Sequence, residues 1–293
     1  MSIKPGELQK SLIQSGEFYP KTARTAEARL NYYAEHFNTV EVDSTYYAIP
    51  TKQNAYLWAQ RSPEDFLFHI KVYGVMTGHA VDPRSLPPDI RAELPALDKG
   101  QKYVYVRDPE LVRAIFDKFM EALYPLVNAG KLGVFVFQFP PWFTFKEKHL
   151  EYILSCKHKA GRTPVAVEFR HGSWYFPVAR EKVFHFLRKN QIIHVVADEP
   201  QYGTLATVPF VPQTTADIGY YRLHGRNKEN WLKKGIETSL RYAYEYSEEE
   251  LKEFLPHVEI SAKTAKTTYV MFNNCHGGSA MRNAEKMKVL LKG

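Results

Sequence analysis

The sequence predicts a TIM (β/α)8 barrel with parallel strands, and three observations lead to that fold class. Short apolar runs alternate with amphipathic stretches along the chain, which is the order of parallel strands joined by helices. The apolar runs read as strands buried on both faces. No Gly-rich dinucleotide or phosphate loop follows the first run, which argues against a doubly wound sheet. We therefore expect a single barrel domain over residues 1–293.

Seven apolar runs are predicted to be strands. They are Thr39–Ser44, Phe66–Val72, Gly133–Gln138, Val165–Phe169, Ile192–Ala197, Gly219–Leu223 and Thr268–Phe272. The helices predicted around them are Thr25–His36, Gln53–Arg61, Pro109–Asn128, Phe145–Lys159, Val178–Asn190, Glu248–Thr264 and Ser279–Leu291. A long insertion is expected after the strand ending at Lys71, because residues 76–107 are rich in proline and too long for a plain connection.

Composition limits the class of protein. Hydrophobic residues make up 44% and charged residues 24% of the chain, which is typical of a packed globular protein. The formal charge of +7 permits an anionic substrate or nucleic acid without requiring either. Two cysteines exclude a disulfide scaffold and a Cys-x-x-Cys zinc motif, so a reducing cytoplasm is expected. No run approaches about 18 apolar residues, so no membrane span is expected. The sequence predicts no oligomeric state.

Polar side chains follow the carboxyl ends of the predicted strands. They are Glu41, Asp43, Lys71, Gln138, Glu168, Arg170, His171, Asp198, Glu199, Arg222, His224, Asn273 and Asn274. In a barrel these strand ends meet on one face, which is where barrel enzymes place their active sites. The alternative interpretation of any single residue is a structural ion pair or a polar strand end near solvent. The set as a whole predicts a functional site.

The predicted chemistry is acid–base catalysis on a small anionic or polyhydroxylated substrate, of hydrolase, lyase or isomerase type. Glu168 is the expected general acid or base, with Lys71 or His224 as its counterpart and Asp198 orienting that counterpart. Arg222 is expected to hold a phosphate or carboxylate by a two-pronged contact. The other predicted substrate contacts are Glu41, Asp43, Tyr46, Gln138, Arg170, His171, Tyr244, Asn273 and Asn274. The structural alternative for Lys71 is an ion pair with Glu41 or Glu168.

Other functions stay open at this point. The positive charge and the alternating Tyr242, Tyr244 and Tyr246 suggest nucleic-acid binding or phosphodiester chemistry, although packing at the rim also explains those tyrosines. No cofactor is predicted. A divalent metal is a less favoured variant, with Glu168, Asp198, His224 and Asn274 as ligands, because nearby cations already balance the acids. A catalytically inactive binding protein on an enzyme fold is a third class.

Five segments in order resemble the YecE-like family, the domain-of-unknown-function family numbered seventy-two. They are TVEVDSTYY (Thr39–Tyr47), FQFPP (Phe137–Pro141), VEFRHGSW (Val167–Trp174), YYRLHGR (Tyr220–Arg226) and FNNCHGG (Phe272–Gly278). The resemblance covers about residues 16–291. It implies a TIM-barrel fold and no established reaction, substrate or cofactor.

The N-terminus departs from that family. The family usually opens with a strand of the form I-x-I-G-T-x-x-W, whereas this chain has MSIKPGELQKSL with no apolar run and no tryptophan. We therefore expect the first barrel strand to be degraded or missing. Such a loss would leave strand edges without a partner.

Overall fold

The computed structural model describes residues 18–95, 98 and 100–293. The stretch predicted to be the degraded first strand, residues 1–12, lies outside this part of the chain. The first described strand begins at Thr39, as predicted.

Seven strands alternate with helices. The strands are β1 (Thr39–Val42), β2 (Leu67–Lys71), β3 (Leu132–Gln138), β4 (Val165–Glu168), β5 (Ile193–Asp198), β6 (Ile218–Leu223) and β7 (Thr267–Phe272). Their order follows the chain, β1-β2-β3-β4-β5-β6-β7. The pairs β1–β2, β2–β3, β4–β5, β5–β6 and β6–β7 are all parallel. This order and alternation confirm the predicted fold class, a TIM-like α/β barrel.

The helices agree closely with the predicted ones and include three short additions. They are α1 (Ala26–His36), α2 (Lys52–Gln60), α3 (Pro88–Ala92), α4 (Pro109–Asn128), α5 (Glu147–Lys159), α6 (Pro177–Lys189), α7 (Lys228–Trp231), α8 (Thr238–Arg241), α9 (Glu248–Thr264) and α10 (Ser279–Leu290). Side chains define their starts. The Asp108 carboxylate accepts the backbone N–H groups of Glu110 and Leu111 at α4, and Ser247 forms a capping box with Glu250 at α9. No described helix has the length and apolar character needed to cross a membrane.

Contacts group the chain into two compact units. The N-terminal unit comprises Ala23–Pro140 and Glu151–Val165. The C-terminal unit comprises, among described residues, 18–22, Pro141–Leu150 and Ala166–Gly293. The single-domain organisation expected from the sequence stays a prediction.

In the N-terminal unit, β2 supplies a buried row that includes Phe68, His69 and Ile70. His69 is fully buried, and its Nδ1 atom accepts the backbone N–H of Val134 at 3.1 Å. Burial lowers the His69 pKa to about 3, so the ring is neutral near neutral pH. Within the insertion after β2, an antiparallel bridge joins Val81 and Val104.

In the C-terminal unit, an apolar cluster joins β5 and β6 to the helices behind them. Its buried members are Val196, Tyr221, Leu223, Tyr246, Leu251, Phe254, Val258 and Met287. Trp174 is also fully buried: its indole N–H donates to the Phe143 carbonyl at 2.6 Å, and its ring stacks on Phe169 at 4.2 Å. These contacts fix the carboxyl ends of β4, β5 and β6.

Candidate functional site

A buried carboxylate, Glu168, is the centre of the polar cluster in the C-terminal unit. Glu168 is the last residue of β4, Arg222 lies on β6, and His224 lies one residue past the end of β6. All three side chains are 0% exposed. Parallel strands end on the same edge of the sheet, and β4 and β6, with β5 between them, bring together residues 54 and 56 positions apart in sequence.

Three donors surround Glu168. Arg222 Nη1 donates to Oε2. Arg170 Nη1 donates to Oε1 at 2.9 Å, and His224 Nε2 lies 3.0 Å from the same oxygen. Burial alone would raise the pKa of Glu168, but the charges and hydrogen bonds of these neighbours together hold it well below its usual value. Glu168 is therefore a stable carboxylate.

His224 has both ring nitrogens occupied. Asn273 Nδ2 lies 3.0 Å from Nδ1 of His224. Because an amide nitrogen can only donate, Nδ1 accepts, and the ring proton lies on Nε2, facing Glu168. Burial lowers the His224 pKa to about 4, so the imidazole is neutral near neutral pH. Asn273 thus fixes the orientation of His224.

Arg170 bridges two glutamates. While Nη1 contacts Glu168, Nη2 lies 3.2 Å from Oε2 of Glu199. The guanidinium lies over the Trp231 ring, 5.1 Å from its centroid. At 15% exposure, its side chain is more accessible than those of Glu168, Arg222 and His224.

Glu199 differs from Glu168 in its environment. Its Oε1 atom accepts the backbone N–H of Val208 at 2.7 Å. No donor in the described part of the chain is aligned for a hydrogen bond to Oε2. Burial raises the Glu199 pKa, and the charge of Arg170 only partly opposes that effect. The two glutamates on Arg170 therefore have pKa values shifted in opposite directions.

Asp198 is engaged on both carboxylate oxygens. Arg226 Nε lies 3.2 and 3.1 Å from the two oxygens, and the Tyr246 hydroxyl donates to Oδ2 at 2.6 Å. Arg226 also lies 3.4 Å from Glu250 and 2.9 Å from Glu253. Burial raises the pKa of Asp198 despite these hydrogen bonds. Asp198 does not orient His224 through its side chain as expected; its backbone carbonyl accepts the His224 N–H at 2.9 Å.

A cleft of about 420 Å³ opens beside Asp198 and Glu199 in the C-terminal unit. It is lined by Asp198, Glu199, Pro200, Gln201, Phe210, Arg226, Lys228, Glu253, Phe254 and His257. Three acids, two permanent cations and three aromatic rings therefore share this surface. A cleft with convergent polar groups and shifted carboxyl pKa values is a candidate binding site.

Other predicted residues of this unit stabilise loops. Asn274 is buried, and its amide donates to the Tyr244 carbonyl and to Asn283 Oδ1, both at 2.8 Å. The Tyr244 hydroxyl donates to Glu250 at 2.5 Å. His171 accepts the backbone N–H of Ser173 at 3.2 Å and so caps the turn that follows β4. All four hydrogen bonds are made within the protein.

Residues 242, 244 and 246 do not form an exposed row. Tyr246 is 0% exposed. Tyr242 packs 5.5 Å from Trp231 and 5.9 Å from His224, measured between ring centroids. The packing interpretation is therefore the correct one for Tyr246, and Tyr242 packs beside the His224 ring.

The N-terminal unit contains the remaining predicted residues. Lys71 Nζ lies 3.4 Å from Asp43 Oδ1 and 4.8 Å from the centroid of the Tyr46 ring. The structural alternative for Lys71 was an ion pair with Glu41 or Glu168, whereas the ion-pair partner in the structure is Asp43. Glu41 and Gln138 are half-buried, on β1 and at the end of β3.

Sequence reasoning assigned no role to three residues of the site, Glu199, Arg226 and Trp231. Glu199 directly follows Asp198, so the same strand end signalled it. Arg226 lies inside the YYRLHGR segment, two residues after His224. Trp231 carries no sequence signal, because its place over Arg170 depends on the short helix α7. In the described ranges, no group of three or more His, Cys, Asp or Glu side chains is arranged to hold a metal ion.

Comparisons with known proteins agree with the fold. Residues 9–293 match the family model described as a protein of unknown function, DUF72. The UPF0759 protein YunF of Bacillus subtilis (strain 168) is 35% identical over 275 residues, covering 93% of this chain and 89% of that protein.

Crystal structures of two DUF72 family proteins are also similar. The protein from Enterococcus faecalis V583 gives a TM-score of 0.75 at 30% identity, covering 90% of this chain and 88% of that one. The protein from Thermotoga maritima MSB8 gives 0.74 at 32% identity, covering 95% and 94%. The chain therefore belongs to the DUF72 family of proteins of unknown function.

Proposed function

We propose that this protein is an acid–base enzyme for a small, uncharged polyhydroxylated substrate, with Glu199 as the carboxyl that transfers protons at the cleft. Glu168 is its permanently ionised counterpart. The observation that supports the proposal is the bridge from Arg170 to both glutamates, 2.9 Å to Glu168 and 3.2 Å to Glu199. Paired carboxyls whose environments separate their protonation behaviour are the usual arrangement for acid–base work.

The proposal moves the proton-transfer role expected for Glu168 to Glu199. Glu168 accepts hydrogen bonds from two guanidiniums and lies against a neutral imidazole, so protonating it would break ion pairs in a fully buried site. Glu199 lines the cleft, and among the described residues it pairs with one cation, Arg170. Its protonated form can donate to a substrate oxygen, and its carboxylate can take a proton back.

His224, Asn273 and Trp231 act as positioning residues in this scheme. Asn273 holds the His224 ring, which in turn donates to Glu168. Trp231 covers the guanidinium of Arg170. Together they keep Arg170 in one orientation, and Arg170 sets how strongly Glu199 holds its proton.

The charge of the cleft favours a polyhydroxylated substrate over an anionic one. Arg226 faces three carboxylates, those of Asp198, Glu250 and Glu253. That leaves Lys228 as the one exposed cation in the cleft without an ion pair to a described residue. A phosphate or carboxylate would also meet Glu199 and Glu253. Hydroxyl groups can donate to those carboxylates, and an apolar sugar face can contact Phe210 and His257.

The test compares uncharged sugars and polyols with their phosphate esters. Each compound is added to the protein in deuterated water. The melting temperature of the protein is measured, and NMR follows deuterium uptake at substrate carbons and the formation of new products. A ligand at 100 times its Kd raises the stability of the fold by about 2.7 kcal/mol. We expect shifts from one class of uncharged sugar, together with turnover.

Glu199→Gln should bind the same sugar and lose at least about 100-fold in turnover, the scale of acid–base catalysis. Glu248→Gln is the matched control, since it removes an exposed acid of the same unit that pairs with Lys252 outside the cleft lining, and it should keep turnover. Stabilisation by phosphate esters alone, or unchanged turnover in Glu199→Gln, would contradict the proposal.

A further inference from the structure

An extended segment of the insertion, residues 102–107, presents two tyrosines to solvent. Val104 and Val106 are 2% and 8% exposed, whereas Tyr103 and Tyr105 are 43% and 45% exposed. Val104 exchanges two backbone hydrogen bonds of 2.9 Å with Val81, which holds the segment in place. Burial alternates from Tyr103 to Val106, so the two tyrosine rings lie on the same, exposed side of the segment.

Each of these rings has a cation beside it. Lys102 Nζ lies 5.6 Å from the centroid of the Tyr103 ring, and the Arg107 guanidinium lies 5.3 Å from that of Tyr105. Neither cation forms an ion pair with an acidic residue in the described ranges of the chain. Two half-exposed aromatic rings, each with a cation over one face, therefore form one row, and no acid in the described part of the chain pairs with either cation.

We propose that the row Lys102, Tyr103, Tyr105 and Arg107 binds single-stranded nucleic acid. Bases stack on exposed aromatic side chains regardless of sequence, and cations beside the rings contact the phosphates between them. Charge complementarity argues for this occupant rather than an apolar protein surface, which would leave both cations without a counter-ion. The net charge of +7 adds a long-range attraction to a polyanion.

Two other exposed tyrosines show what distinguishes the row. Tyr56 on α2 and Tyr124 on α4 are 49% and 57% exposed. They lie on helices, and no described cation stacks on either ring. Exposure alone is therefore not the signal, and these two positions supply matched controls.

The experiment measures fluorescence anisotropy of a labelled oligothymidine of about 15 nucleotides, within the range of single-strand binding sites. We expect binding that weakens as salt rises from about 50 mM to 200 mM. The double variant Tyr103→Ala, Tyr105→Ala should weaken binding at least about tenfold, since each stacked base contributes about that much. Tyr103→Phe with Tyr105→Phe should keep the affinity, because the rings remain. Lys102→Ala with Arg107→Ala should reduce the salt dependence.

The control double variant Tyr56→Ala, Tyr124→Ala should bind as the natural chain does. Failure of the natural chain to bind, or equal affinity in the Tyr103→Ala, Tyr105→Ala variant, would overturn the proposal. Competition by inorganic polyphosphate that is as strong as competition by unlabelled oligothymidine would also overturn it, because stacking would then contribute nothing. Sugar binding by the cleft should be unaffected in these variants, so this result is independent of the proposed enzyme activity.

Discussion

Arg170 Nη2 lies 3.2 Å from Oε2 of Glu199. The same guanidinium holds the buried Glu168 through its other terminal nitrogen. One cation therefore serves two carboxyls, and the number of further donors around each carboxyl decides which one stays ionised. This relationship gives the polar cluster a division of roles that the residue types alone do not show.

The two glutamates should respond in opposite ways to neutralisation. Glu168→Gln leaves Arg222 buried against an uncharged partner and should destabilise the fold by about 3–5 kcal/mol, the range for breaking a buried ion pair. Burial raises the Glu199 pKa, so the fold disfavours the ionised form relative to the unfolded chain. Glu199→Gln should therefore melt at or above the natural temperature. Equal destabilisation by the two variants in urea unfolding would contradict this assignment.

Acid should destabilise the fold through its buried histidines. Burial lowers the pKa of His69 to about 3 and those of His194 and His224 to about 4. The unfolded histidines take up protons near pH 6.5, but the folded ones do not. The contribution that these neutral histidines make to the free energy of unfolding is thus complete above about pH 6.5. It is lost as pH falls toward about pH 4. Asp198 and Glu199 act in the opposite direction, because burial raises their pKa values.

The measurement is the melting temperature between about pH 7 and pH 4.5. His194→Gln keeps a neutral donor and acceptor for Gln213 and Tyr175 but cannot titrate. It should show a shallower fall than the natural chain. An identical slope in the two proteins would mean that His194 does not contribute.

Lys131 should be a structural cation of the N-terminal unit. Its ammonium donates to the carbonyls of Ala59 and Ser62 at 2.6 and 2.7 Å and to the Ser62 hydroxyl at 3.0 Å, at the end of α2. Lys131→Met leaves these oxygens without that donor and should cost about 2–3 kcal/mol in urea unfolding. Lys118→Met breaks an exposed ion pair with Asp89 and should cost under about 1 kcal/mol. Equal losses would contradict the assigned role.

Gly225 should be required for the turn between His224 and Arg226. Its φ of +90° is strained for other residues, and an added Cβ would lie 2.6 Å from Cβ of Tyr244. Gly225→Ala should therefore displace Tyr244 and destabilise the fold more than Gly235→Ala, where φ is +76° and no atom lies within 4 Å. The melting temperatures of the two variants are compared. A similar decrease in both would show that Tyr244 moves away from the added Cβ at no cost in stability.

The fold followed from local signals. The helix Pro109–Asn128 has the predicted bounds, and the structure shows why: Asp108 caps its start, Pro109 occupies the first turn and one face is apolar. Buried parallel strands gave apolar runs that marked all seven described strands within about two residues. The start of the chain, residues 1–12, lies outside the described residues, so the expected loss of a strand there stays a prediction.

The site followed only in part, because its electrostatics arise from distant partners. Strand ends identified Glu168, Arg222 and His224 correctly as neighbours. The protonation of Glu168 depends on its contact with Arg222, which lies 54 residues further along the chain. No local sequence pattern predicts that contact. The tyrosine alternation at 242–246 was compatible with an exposed strip or with packing at the rim, and the Tyr246 hydroxyl binds buried Asp198, as the packing interpretation requires. The exposed strip lies instead at Tyr103 and Tyr105.

The most direct test of the account is a carboxyl titration of Glu168 and Glu199. The protein is labelled with carbon-13 at glutamate side-chain carboxyls, and the two signals are assigned by their loss in Glu168→Gln and Glu199→Gln. We predict that Glu199 titrates above the ordinary glutamate range, while Glu168 stays ionised until the fold unfolds in acid. A Glu168 signal that titrates at higher pH than Glu199 would contradict the division of roles on which the proposed function depends.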